Sequence, residues 1–273
     1  MDATRKKVIL AVVAHADDLE FMAGGTVARL AREKGHTVFE YILTDNSKGS
    51  YRLSPEAIIP VSEDEARKAA EILGIQEVFF ERYPDGELDQ ENPAVLRGKI
   101  MAKIRETQAD VVMSWDPFAP GEDHPDHRQV AIATLEAAAF AGNPRFYPEH
   151  AHPPRVVTEA YWFAKHPTDD ARLLVDISSV IDVKIEALLA HDCQMVLTAD
   201  ALAMEARALG ADLGLDDVVE SGRYRQLIEM GVRNYCAATG APAGMAAAER
   251  FRYQKLGMLD TVLGMSVIQP DFT

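Results

Sequence analysis

Aliphatic residues run unbroken from Val8 to Val13 and stop at His15. A run of that kind predicts a strand buried on both faces of a parallel sheet. Phe21 to Lys34 reads as a helix closed by Gly35, and Thr37 to Thr44 as a second strand. Ser62-Glu63-Asp64-Glu65 has the form of a capping box, opening a helix whose Ala66, Ala69, Ala70 and Leu73 share one face and which Gly74 ends. Glu77 to Phe80 reads as a short strand before a turn at Tyr83-Pro84-Asp85-Gly86. Asn92-Pro93 predicts the start of a helix reaching about Thr107. Val111 to Ser114 is a fourth strand, and a helix from about Pro125 to Ala141 follows a proline-rich loop.

Strands separated by helices imply right-handed βαβ units, hence an α/β fold with a Rossmann-like, doubly wound, mostly parallel sheet flanked by helices. Beyond Pro144 the pattern loosens. Strands are expected at Val156 to Phe163 and Leu173 to Asp176, then a helix over Val180 to His191, then an Ala-rich helical remainder. No repeat and no linker divides the chain. All 273 residues read as one domain, with a sheet core over about 1–195 and a helical C-terminal portion over about 196–273.

Composition narrows the function classes. A net charge of −15 argues against sequence-independent binding to nucleic acid or to an anionic membrane, since both need a basic surface. Cys193 and Cys236 lie far apart and form no disulfide scaffold, which suits a reducing compartment. Arg5-Lys6-Lys7 before the first apolar run imitates a signal peptide, but no small-x-small cleavage site follows. No apolar stretch reaches the roughly 20 residues of a membrane-spanning helix. The expectation is a soluble, cytoplasmic protein.

Chemistry gathers at two strand ends. The first strand runs into His15-Ala16-Asp17-Asp18, and the fourth into a loop from Asp116 to His127 that closes on His124-Pro125-Asp126-His127. Ligands of open α/β sheets bind at the carboxyl ends of strands where the strand order reverses. With an order of the 3-2-1-4 kind, the two loops would face each other. A hydrolytic zinc site takes three N/O ligands and leaves a position for water. His15 and Asp18 can converge on one ion and His127 can complete the set. Asp17 is placed to accept a proton from the attacking water, and His124, three before His127, to stabilise an oxyanion or protonate the leaving amine. Each element also has a plainer reading, with Asp18 as a helix cap and His-Pro-Asp-His as a capped helix start. Their joint placement favours one metal site.

The chain here resembles the PIG-L (LmbE-like) de-N-acetylases. Ala14-His15-Ala16-Asp17-Asp18-Leu19-Glu20 is similar to that family's AHPDDxE signature. The loop Thr44 to Gly49, Tyr83-Pro84-Asp85-Gly86-Glu87-Leu88, and His124-Pro125-Asp126-His127-Arg128 follow in the family's order. Lys184, His191 and Gln194 resemble its later K…H-x-x-Q pattern, and Glu249-Arg250-Phe251 its E-x-F. The resemblance implies a zinc-dependent hydrolase that removes acetyl from an N-acetylglucosaminyl sugar or small conjugate. It also implies His15, Asp18 and His127 as metal ligands, Asp17 as general base and His124 as an aid at the tetrahedral intermediate. Asp85 matches a residue that contacts sugar hydroxyls or orients a catalytic histidine.

The chain departs from the pattern in places. Ala16 stands where proline is usual, and Asn46 where glycine is, in a turn that asparagine tolerates. Ser62 occupies the place of a family arginine that helps bind substrate, which leaves Arg52 or Arg67 as candidates for the sugar. Gly24-Gly25 makes no dinucleotide fingerprint. His191 reads equally as packing or as a partner of the site, and Trp115 and Tyr83 as core or as sugar-stacking walls. The small-residue stretch Ala237 to Ala248 reads as a flap or as a plain loop, and the apolar tail from Leu256 to Ile268 leans towards a homo-oligomer. Two alternatives stay open: a related metal-dependent amidase for another N-acyl or thiol conjugate, and a non-catalytic sugar binder. A His₂Asp site also accepts divalent ions other than zinc.

Overall fold

The computed structural model describes residues 5–215, 217–264, 266 and 270–272. In chain order its main elements are β1 (Val8–Val13), α1 (Asp18–Ala28), β2 (Thr37–Thr44), α2 (Pro55–Leu73), β3 (Glu77–Tyr83), α3 (Pro93–Thr107), β4 (Val111–Trp115) and α4 (Pro125–Phe140). Then come β5 (Glu159–Phe163), β6 (Leu173–Asp176), α5 (Ile181–Ala190), α6 (Asp192–Ala208), α7 (Tyr224–Gly240) and β7 (Ala248–Lys255). The sheet order is β3-β2-β1-β4-β5-β7-β6. Strands β1 to β5 pair in parallel, and β7 runs antiparallel to both β5 and β6.

The aliphatic run of β1 feeds two cores. Ile9, Ala11 and Val13 pack with Leu19 and Ala23 of α1, Ala69 and Leu73 of α2, and Leu188 of α5. Leu10 and Val12 face Leu96 and Ile100 of α3 and Val130 and Ala137 of α4. Both sides of the strand are therefore dry, and the molecule is a three-layer α/β/α stack. Because β1 lies between β2 and β4, the strand order reverses beside it and opens a crevice at the carboxyl ends of β1 and β4.

Several elements differ from the sequence reading for identifiable reasons. Helix α2 begins at Pro55 with Ser54 at its cap, so Ser62 is interior and buried rather than an N-cap. Pro60 lies within the first two turns, where the carbonyl it leaves free belongs to exposed Glu56. The C-terminal portion is helical through α6 and α7, but the chain then returns to the sheet as β7, a strand the periodicity did not reveal. Its sequence, Ala-Glu-Arg-Phe-Arg-Tyr-Gln-Lys, buries charged residues that find partners elsewhere. Glu249 accepts from Lys184 Nζ at 2.6 Å and from the backbone of Gly25 and Thr26, and Arg252 grips Asp116 with two 2.8 Å bonds.

Gly25 answers to packing rather than to phosphate, since a Cβ there would meet Ile177 at 2.8 Å. The stretch Ala237 to Ala248 is no flap over the crevice. It is the end of α7, a 3-10 turn over Ala241–Ala243, a four-residue connection and the start of β7. In the tail, Met258, Leu259, Val262 and Leu263 are exposed, while Met265, Val267 and Ile268 lie outside the described residues. No helix among the described residues is long and apolar enough to cross a membrane.

Candidate metal centre and cleft

The β1 and β4 loops meet in the crevice. His15 Nδ1 and His127 Nε2, 112 residues apart in the chain, lie 3.2 Å from each other. Asp18 Oδ1 completes a triangle, 3.6 Å from the first and 3.3 Å from the second. A tetrahedral ion bound at about 2.0–2.1 Å needs donor atoms roughly 3.3 Å apart, so these three atoms fit a divalent cation. The donors of His15, His124 and His127 also lie within 4.8 Å of one another, as do those of His15, Asp85, His124 and Asp126. The orientation of each side chain decides among these sets.

Each corner of the triangle is aimed from behind. Asp18 Oδ2 accepts from the backbone of Ala14 and His15, both at 3.0 Å, and from Trp115 Nε1 at 2.8 Å, which leaves Oδ1 to the centre. Burial would raise the Asp18 pKa, but the imidazoles of His127 and His15 hold it well below the usual carboxylate range. His127 turns Nδ1 to Glu122 Oε1 at 3.0 Å, so its Nε2 lone pair faces the triangle. His15 turns Nε2 to Asp85 at 3.2 Å and to Asp126 at 3.3 Å, freeing Nδ1. Asp126 is fixed in turn by the backbone of Gly86 and Leu88. Trp115 stacks on the His127 ring at 3.8 Å and is buried, a packing partner of the triangle.

Asp17 and His124 flank the triangle without joining it. Burial, with the neighbouring Asp18 charge, pushes the Asp17 carboxyl up to about 6 against the pull of His191 and His15. His124 caps α4, its Nδ1 accepting from Asp126 N at 3.2 Å. A neutral ring that accepts at Nδ1 carries its proton on Nε2, as a donor. Burial and the two adjacent imidazoles lower its pKa, which keeps it neutral. The helix-cap reading and the catalytic reading of His124 are thus compatible.

The cleft around these groups holds about 480 Å³ and is lined further by Asn46, Lys48, Lys165, Gln194 and Leu197. Asn46 adopts the left-handed conformation at φ 55°, and its side chain accepts from Ala16 N. Arg52 and Arg67 do not line the cleft. Arg52 is bound to Asp200 and Glu220, and Arg67 to Glu63 and Asp64, all at the surface. Asp85 lines the cleft, but its contact is with His15. Glu122 and Asp126 escaped the sequence reading because nothing in their spacing marks them as partners of the histidines. His191 is fully buried, with its Nε2 3.4 Å from Glu20, and does not line the cleft.

The family model of the GlcNAc-PI de-N-acetylases (PIG-L) matches residues 10–138. Diacetylchitobiose deacetylase of Thermococcus kodakarensis is 30% identical over 194 residues, covering 69% of this chain and 70% of the relative. The chain belongs to the PIG-L family. A probable N-acetyl-alpha-D-glucosaminyl L-malate deacetylase 2 of Bacillus anthracis is 28% identical, with 72% of this chain and 85% of the relative covered. The N,N'-diacetylchitobiose deacetylase of Pyrococcus horikoshii, solved with an inhibitor, superposes with a TM-score of 0.73 over 91% of this chain and 84% of its own, at 24% identity. This PIG-L chain is accordingly a hydrolase of the de-N-acetylase class, with the mixed α/β fold of its relatives.

Proposed function

We propose that the protein removes the acetyl group from an N-acetylglucosaminyl sugar or small conjugate, with zinc held by His15, Asp18 and His127. The observation that carries this reading is the donor triangle with a raised-pKa carboxylate on one flank and an imidazole N–H on the other. A divalent cation there would polarise the amide carbonyl and acidify water. Asp17, near neutrality in pKa, accepts the proton of the attacking water. His124 donates from Nε2 to the oxygen that becomes anionic as the carbon turns tetrahedral. When the C–N bond breaks, the proton held by Asp17 passes to the nitrogen, and amine and acetate leave. Glu122, Asp85 and Asp126 keep the two ligand imidazoles in the tautomers this requires. The deacetylases of amino sugars among the relatives support the substrate class.

The test is release of free amine from N-acetylglucosamine, diacetylchitobiose, and inositol and malate conjugates of N-acetylglucosamine by zinc-reconstituted protein, with the metal content measured alongside. Chelator-sensitive release from one of them is expected. Silence across the set with metal bound would move the reading to another acyl group.

A further inference from the structure

The wall that Phe21 and Met22 of α1 give to the catalytic cleft has a second side. A cavity of about 380 Å³ opens there, within the range of roughly 300–1,000 Å³ common for small-molecule sites. Phe21, Met22 and Lys165 line both spaces, so the two are adjacent. The rest of the groove is apolar, with Leu202 of α6 facing Leu227, Met230 and Tyr235 of α7. Lys184 also borders it, but its ammonium is taken by the carbonyls of Glu20 and Phe21 and by Glu249. Gly231 of α7 lies on the groove, and a Cβ built on it meets nothing within 4 Å. A side chain placed there would therefore meet no clash with the rest of the fold.

We propose that this groove binds an apolar aglycone, an alkyl or aryl group carried by the amino sugar whose N-acetyl group sits at the triangle. The inference rests on the de-N-acetylase reading above. The groove is assigned to the aglycone and not to the N-acyl chain because Asp17, Asp85, His124 and Asn46 stand about the triangle, with Phe21, Met22 and Leu197 also lining the cleft. The groove lies on the other side of Phe21 and Met22, with Lys165 at both spaces. Such a substrate would place its polar ring against Lys48 and Asn46 and its apolar group between α6 and α7.

The test compares methyl, butyl and octyl N-acetyl-β-glucosaminides with the metal-loaded enzyme. Burying methylenes should raise kcat/KM about two- to fourfold for each, mainly through KM. Gly231→Phe, which fills the groove, should return the octyl-to-methyl ratio towards one, and Leu202→Glu on the facing helix should do the same. A flat series on an active enzyme overturns the proposal. So does a slope that follows N-acyl length, seen by comparing N-octanoyl- with N-acetylglucosamine. If no glycoside loses its acetyl, the reaction reading fails, and calorimetry decides the groove separately. Tighter binding of the octyl than of the methyl glycoside, abolished by Gly231→Phe, sustains it; equal binding overturns it. A wild-type dimer that Gly231→Phe dissociates in sedimentation, with no chain-length slope, would assign the groove to a second copy and overturn it too.

Discussion

Asp18 divides its two oxygens between scaffold and centre, and that division sets what single substitutions should do. Trp115→Phe keeps the stacked ring but removes one of the three N–H donors on Oδ2. It should weaken metal binding about tenfold, and Glu122→Gln should fall within the same 10–100-fold band, both read by competition with a chromogenic chelator. Asp17→Asn should behave differently, cutting kcat by roughly 10²–10⁴ while metal content stays full, whereas His127→Ala should lose the metal. Retained kcat in Asp17→Asn would remove Asp17 from the base role. The convergence of His15, Asp18 and His127 was legible in the sequence because His15 and Asp18 sit on one turn and His127 begins a helix. Of their orienting partners only Asp85 was marked, by the resemblance and not by spacing. Glu122 reaches His127 through an irregular loop, and Asp85 reaches His15 from the end of another strand, so no spacing rule connects them.

Among the elements, β7 shows why a strand can hide. Charged residues ordinarily face solvent, yet Glu249 and Arg252 are buried because Lys184 and Asp116 neutralise them from distant segments. Neutralisation across a fold is invisible to a local pattern. The strand depends on it in turn. Lys184→Met strands the Glu249 carboxylate in the core and should cost about 3–5 kcal/mol in urea unfolding. The double variant Lys184→Met/Glu249→Gln should recover part of that loss. An equal or larger loss in the double variant would mean that the contacts of Glu249 with α1, rather than the ion pair, are what matter. Helix α2 teaches a related lesson: a capping-box pattern at Ser62 is outweighed by a start at Pro55, and Pro60 is tolerated because only an exposed carbonyl goes without its donor.

Across the whole molecule, the C-terminal end is tied to the first strand through charge. Asp271 meets Lys7 and His36, and although burial opposes ionisation, these partners hold its carboxyl down to about 2. A depressed carboxylate contributes stability above the unfolded value, near 3.9, and loses it as pH falls towards the folded one. Asp271→Asn should therefore lower stability by about 1 kcal/mol at pH 7, a fall of roughly 2–4 °C in Tm, with the difference from wild type closing between about pH 4 and pH 2. A difference that persisted at pH 2 would assign the loss to packing.

The triangle joins the turn after β1 to the start of α4, residues separated by 112 positions and by three βαβ crossovers. An ion seated there would close a loop that takes in β2, β3 and β4, so it would act as a reversible cross-link as well as a reagent. Occupancy at a hundred times Kd would add about 2.7 kcal/mol to the folded state, and stripping the metal should lower the melting temperature of an otherwise intact chain. Scanning calorimetry with and without chelator reads this directly, and unchanged melting would mean the ion binds folded and unfolded chain alike. The same three side chains would then make the protein's lifetime, and not only its turnover, a function of metal supply.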